Sequence, residues 1–208
     1  MRNILMFTML LFVCGNCNAV ILIDQNTRNG SFETGQWDPW GSGNALVNDV
    51  SFASNGSYYA KLETITGRDG IGQRNFSIDK NAGPIFAFSV DVRNGINPFD
   101  KLDISVSGRT YNGEYIYGVE YNRFEIPAEA SNTWVTITGT ETFNVADWQE
   151  LDINTLVFSI GFSKTNWVSG ELLQGFLDNI VLTQIPEPAS CLIMTISGLC
   201  VILRRRKW

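Results

Sequence analysis

The segment Phe86-Ala87-Phe88-Ser89-Val90-Asp91-Val92-Arg93 places an apolar side chain at every even position and a small or polar one at every odd position. A helix would scatter that pattern around its axis, whereas a strand gathers all the apolar groups on one face. Leu102-Asp103-Ile104-Ser105-Val106-Ser107 repeats it, and Leu156–Phe162 follows it less regularly. Strands with one apolar face are half-buried and antiparallel, with the other face left polar. Further strands are expected over Ser57–Glu63, Gly72–Ile78, Tyr115–Val119, Trp134–Phe143 and Phe176–Thr183. Turn residues separate them at Ser54-Asn55-Gly56, Asn81-Ala82-Gly83-Pro84, Asn94-Gly95 and Asn112-Gly113. About eight short strands without a convincing helix predict an all-β sandwich.

What holds such a sandwich together is narrowed by two absences. The chain has no histidine, and its four cysteines (Cys14, Cys17, Cys191 and Cys200) all lie in the apolar end segments. The middle therefore has no disulfide and no thiolate or imidazole metal ligands, and its core must suffice. Mechanisms that need a histidine base are excluded. From Val20 to Ile185 there are 10 Lys and Arg against 20 Asp and Glu, a net charge of −10. Nucleic acid is accordingly not expected as a partner, since phosphate binding rests on neutralising cations.

The ends read as addresses. Residues 1–19 start Met-Arg-Asn, continue with the apolar run Ile4–Val13 and close on Cys17-Asn18-Ala19, the order of a secretory signal peptide cleaved after Ala19. A helix packed inside the domain would need a polar face, which this run lacks. Val13 and Asn16 are poor lipoprotein-site residues ahead of Cys14 and Cys17. At the other end, Pro186-Glu187-Pro188 forbids a helix or central strand and acts as a hinge. The apolar stretch Ala189–Leu203 follows, shorter than the roughly 20 residues of a comfortable membrane span. Arg204, Arg205, Arg206 and Lys207 then favour the cytoplasmic side.

Residues 185–208 resemble the PEP-CTERM sorting signal through the Pro186-Glu187-Pro188 element, the apolar helix with Gly198-Leu199 and the cluster Arg204, Arg205, Arg206. The resemblance implies recognition and cleavage by an exosortase-type membrane enzyme after passage through the secretion machinery. The chain would be held briefly in the inner membrane, then released to the surface or extracellular matrix of a Gram-negative, polysaccharide-producing bacterium. An ordinary single-pass anchor is the alternative.

The domain of residues 20–184 resembles the jelly-roll sandwich of carbohydrate-binding modules, the galactose-binding-like fold. The residues that carry this are Asn29-Gly30-Ser31-Phe32-Glu33 with Trp37, Ser57–Leu62, Gly70-Ile71-Gly72-Gln73, Thr133–Thr136 and Leu177-Asp178-Asn179-Ile180-Val181-Leu182. That fold implies a polysaccharide partner, and related sandwiches often hold a structural calcium between first and last strands, here at Glu33 and Asp178. Sugar faces pack on aromatic rings while their hydroxyls need fixed donors and acceptors. The expected ligand residues are Trp37 and Trp40 in a Gly/Pro-rich loop, with Gln73, Asp91, Arg93, Tyr115 and Tyr117. The outward residues Ser89, Asp91, Arg93, Asp103, Ser105 and Ser107 form either a ligand face or merely a solvated one. Trp37 and Trp40 either stack on sugar or cap the sandwich, Trp134 packs, and Trp148 and Trp167 stay unassigned.

No catalytic residue is assigned. The one economical chemistry left is a glycosidase-type carboxylate pair, for which Asp91 and Asp103 would have to share a face. A structural matrix component without a ligand is the other alternative to a polysaccharide binder.

Overall fold

The alternation decides the layers. In the computed structural model, which describes residues 19–41, 45–74, 78–117, 122–143 and 145–186, β5 (Ile85–Asn94) buries Phe86, Phe88, Val90 and Val92. β6 (Lys101–Thr110) buries Leu102, Ile104 and Val106, so both strands turn their even positions into one core. They lie in opposite sheets. The first sheet runs in the order β2-β3-β11-β5-β9, with β1 also paired to β11; the second runs β4-β10-β6-β7, with β8 also paired to β6. The strands are β1 (Val20–Ile23), β2 (Ala45–Asn48), β3 (Tyr58–Thr64), β4 (Arg68–Arg74), β7 (Tyr115–Tyr117), β8 (Asn122–Glu125), β9 (Val135–Thr142), β10 (Leu151–Ser163) and β11 (Leu173–Ile185). Every pairing is antiparallel. This is the expected jelly-roll sandwich.

Aromatic groups fill the space between the sheets. Phe32, Trp40 and Phe158 meet at one place, with ring centroids 5.8 and 6.4 Å apart. Phe99 stacks on Phe162 at 5.0 Å. A short helix, α1 (Val145–Glu150), carries Trp148 in among Phe86 and Phe143 at 5.9 and 5.6 Å. The indole of Trp148 donates to the Lys80 carbonyl at 3.1 Å, so its polar edge is satisfied where the ring is buried. Among the described residues, Lys80–Ala82 and Ala128–Ser131 form 3-10 turns.

A second, smaller cluster sits outside the first sheet. The loop of residues 49–57 folds over it and brings Phe52 against Tyr59, Trp134 and Phe176 at 5.0, 5.9 and 4.9 Å. Arg93 lies over the Phe52 ring at 4.0 Å. The outward face of this sheet is thus partly a packing surface.

Several strands differ from expectation. β4 is displaced toward the N-terminus of its expected range and β10 extends well beyond it, while β1, β2 and β8 were not expected. Pro186 follows the last paired residue of β11, Ile185, as a residue without a ladder donor should. Residues 1–18 of the expected signal segment 1–19 and the tail 187–208 lie outside the described residues, as do the sorting-motif residues Glu187, Pro188, Arg204, Arg205 and Arg206. Among the described residues no helix is long and apolar enough to cross a membrane.

Candidate functional site

The outward positions of the second sheet are polar, yet several are buried. Asp103, Ser105 and Ser107 alternate with the core residues of β6 and are each only 4–5% exposed. On β9 of the first sheet, by contrast, the outward Thr136, Thr138 and Thr140 are exposed. The second sheet's outer face is therefore sunk. A cavity of about 340 Å³ opens on it, lined by Arg68, Gly70, Gly72, Arg74, Asp103 and Ser159 among others.

Register builds the floor. Gly161 of β10 faces Gly70 of β4 on one side and Asp103 of β6 on the other. A Cβ on Gly161 would lie 2.3 Å from the Asp69 carbonyl oxygen, so the strands approach too closely for any side chain there. Gly41, from the segment after Trp40, bridges to Gly72 and extends the floor at its edge. The result is a surface of backbone and small hydroxyls on which a chain of rings could lie.

Asp103 sits at the centre. Arg123 of β8, opposite it in register, brings Nε to 3.4 Å from Oδ1, and Arg68 brings Nε to 3.7 Å from Oδ2. Both contacts are ionic but too long for good hydrogen bonds. Neither carboxylate oxygen receives a hydrogen bond among the described residues. A buried acceptor left in that state costs on the order of 1–3 kcal/mol, more for a charged one. Incoming hydroxyl donors would satisfy it.

The expected ligand residues are dispersed. Trp40 is 3% exposed, and its indole donates to the Asn29 carbonyl at 3.0 Å. Trp37 is half-buried, edge-on to Phe32 at 5.9 Å. Both cap the end of the core, because a loop residue whose ring finds an apolar pocket and a carbonyl partner is held as firmly as any strand residue. Gln73 is fully buried on the inward side of β4, where it accepts from Arg28 Nε and donates to the Arg28 carbonyl, both at 2.8 Å. Asp91 is buried under the loop on the first sheet, accepting from Thr136 Oγ1 at 2.6 Å and from Ser54 Oγ. Arg93 belongs to the cluster over Phe52. Tyr115 and Tyr117 occupy positions paired with Arg109 and Ser107, at the margin of the sunk face; their side chains lie outside the described part. Asp91 and Asp103 lie on opposite outer faces of the sandwich, which separates them by more than the roughly 10 Å between packed sheets and removes them as a carboxylate pair.

Glu33 and Asp178 do meet the same loop. Glu33 Oε1 accepts from the backbone N–H of Ser57 and Tyr58, both at 2.8 Å. Asp178 is fully buried; Oδ2 accepts from the N–H of Ser54 at 2.9 Å and Asn55 at 3.0 Å, and Oδ1 from Asn179 at 2.7 Å. Burial, with some repulsion from Asp91, raises the Asp178 carboxyl to about 7 against the three N–H bonds that lower it. A calcium ion takes six to eight oxygen ligands, and among the described residues no three acidic side chains converge as a metal site. As placed, these carboxylates clasp a loop through amide hydrogens.

No known sequence family matches the chain, and no curated protein matches it. Solved structures do. The CBM22-1 xylan-binding domain of Xyn10C from Paenibacillus barcinonensis is 17% identical with a TM-score of 0.50, over 81% of this chain and 97% of that one. The CBM22-1-GH10 modules of xylanase Xyn10B from Clostridium thermocellum, complexed with xylohexaose, give 15% identity and a TM-score of 0.53 over 80% of this chain and 29% of that one. A cyclase from Fischerella gives 15% and 0.52, over 81% of this chain and 97% of that one. At these identities the likeness is one of fold: the sandwich is built like carbohydrate-binding modules and also like an enzyme.

Proposed function

We propose that this chain is an exported, exosortase-sorted surface or matrix protein. On this reading its sandwich is a non-catalytic module binding extracellular polysaccharide along the outer face of the second sheet. The observation that carries the binding reading is Asp103: a buried carboxylate without a hydrogen-bond donor, on a sunk polar face away from the core. Sugar hydroxyls supply the donors such a group lacks. The glycine floor lets a chain of rings approach the backbone, and Ser159 offers a hydroxyl from the same lining. That two of the similar structures are described as xylan-binding or bound to xylohexaose supports the same ligand class.

Affinity electrophoresis of the purified full-length protein, in detergent for its apolar ends, tests this reading against the host's own exopolysaccharide. Retardation is expected, with Asp103→Asn weakening it about tenfold, the value of one hydrogen bond to a charged group. Unretarded migration of a folded protein would favour the structural-component alternative.

The sorting reading rests on the order of elements in residues 185–208. Cell fractionation, with a mass of the mature product, tests it by comparing the native chain with one lacking Pro186-Glu187-Pro188. Loss of the tail in the first and retention in the second is the expected pair of results.

A further inference from the structure

The outer face of the second sheet differs in charge from the domain around it, the cavity on it being lined by Arg68 and Arg74 with Asp69 and Asp103 and the further basic residues lying beside it. Among the described residues, Arg68, Arg74, Lys101, Arg109 and Arg123 occupy outward positions of the second sheet, half of the ten basic residues between Val20 and Ile185. The acidic residues paired into the same face are three: Asp103, Glu125 and Asp152. A domain carrying −10 thus presents a cationic patch at its sunk face. A neutral glycan needs no such patch. It is held by ring stacking and neutral hydrogen bonds, and the described outward positions of β4, β6, β8 and β10 hold no aromatic residue, Tyr115 and Tyr117 of β7 occupying the margin of the face.

Resting on the polysaccharide reading above, we infer that the groove takes an acidic polysaccharide, a chain bearing uronate carboxylates. A guanidinium offers five N–H groups in a fork that matches a carboxylate. Arg68 and Arg123 flank Asp103 at 3.7 and 3.4 Å, and their side chains are 51% and 54% exposed, Arg68 lining the cavity and Arg123 standing on the neighbouring strand beside it. Asp103 holds both guanidiniums beside it, Arg68 through Oδ2 and Arg123 through Oδ1. A uronate ring set between them gives its carboxylate to the arginines and its hydroxyls to Asp103. The arginine half of that arrangement suits a neutral sugar less well: without a ligand carboxylate, the arginines lose solvent for little return.

The test uses one polymer in two charge states: polygalacturonate and its carboxyl-reduced, neutral form, with xylan as a second neutral probe. Binding of the full-length protein is measured at low salt and again above about 0.15 M, where the Debye length is near 8 Å. The inference expects polygalacturonate to bind at least about tenfold tighter than its reduced form and to weaken as salt rises. Arg74→Gln should lower that preference while the unfolding midpoint holds, and Arg123→Gln, which removes one of the two cations beside buried Asp103, should lower the preference and the midpoint together. Equal or tighter, salt-insensitive binding of the neutral polymers would overturn the uronate assignment and leave polysaccharide binding standing. Failure to bind any of the three while the host's exopolysaccharide still retards the protein would overturn the uronate assignment alone; failure with all four would overturn both.

Discussion

At the scale of single residues, position in a loop or strand is a poor guide to exposure. Trp40 lies in a loop yet fills the core beside Phe32 and Phe158. Trp40→Ala is therefore expected to cost about 3–5 kcal/mol of stability, read by denaturant unfolding. Loss of glycan binding at unchanged stability would contradict the assignment. Asp178 gives a pH dependence. Its folded carboxyl titrates at about 7 because of burial, above the ordinary 3.8, so the folded chain holds the proton more tightly than the unfolded one. The stability it contributes is full below about pH 4, declines as pH rises and is gone near pH 7. The difference in unfolding midpoint between the native chain and Asp178→Asn should accordingly shift against the native chain between pH 4 and 7. A difference that is flat with pH would contradict this.

At the scale of elements, two devices hold the sandwich's ends and faces in place. The loop of residues 49–57 is clasped by Glu33 and Asp178 from below and by the Phe52 cluster. Gly56 enters that clasp at φ +74°, where a Cβ would strike the Glu33 carboxylate at 2.3 Å. Glu33→Ala should speed hydrogen exchange at the Ser57 and Tyr58 amides while leaving β6 and β10 protected; unchanged exchange would show that Glu33 does not hold the loop. In the floor of the groove, Gly161→Ala forces β10 away from β4 and is expected to cost about 1–3 kcal/mol, the range for overpacking, by denaturant unfolding. The long alternating strands β5 and β6 were legible because each keeps one face in the core. The four-residue β1, β2 and β8 carry too few positions to show a period. Their existence depends on a neighbour offering a free ladder. Period two also tells in from out but not which sheet, and so Asp91 and Asp103 could be paired on paper. The groove arginines were missed for the same reason. Arg68-Asp69-Gly70-Ile71-Gly72-Gln73-Arg74 alternates with Ile71 and Gln73 inward, a signal visible once the strand is begun at Arg68.

At the scale of the whole molecule, the middle folds on its own buried strand faces, without disulfides, while the ends carry the sorting reading. What makes the domain more than a robust block is the difference between its two outer faces. One is partly covered by a loop and an aromatic cluster; the other is sunk, polar and cationic, with a carboxylate awaiting donors. Hydrogen–deuterium exchange of the full-length protein with and without bound acidic polysaccharide asks directly which face is used. Slowed exchange confined to β4, β6, β8 and β10 is the predicted footprint. Protection over the Trp37–Trp40 loop or the residue 49–57 loop instead, with the second sheet unchanged, would contradict the account.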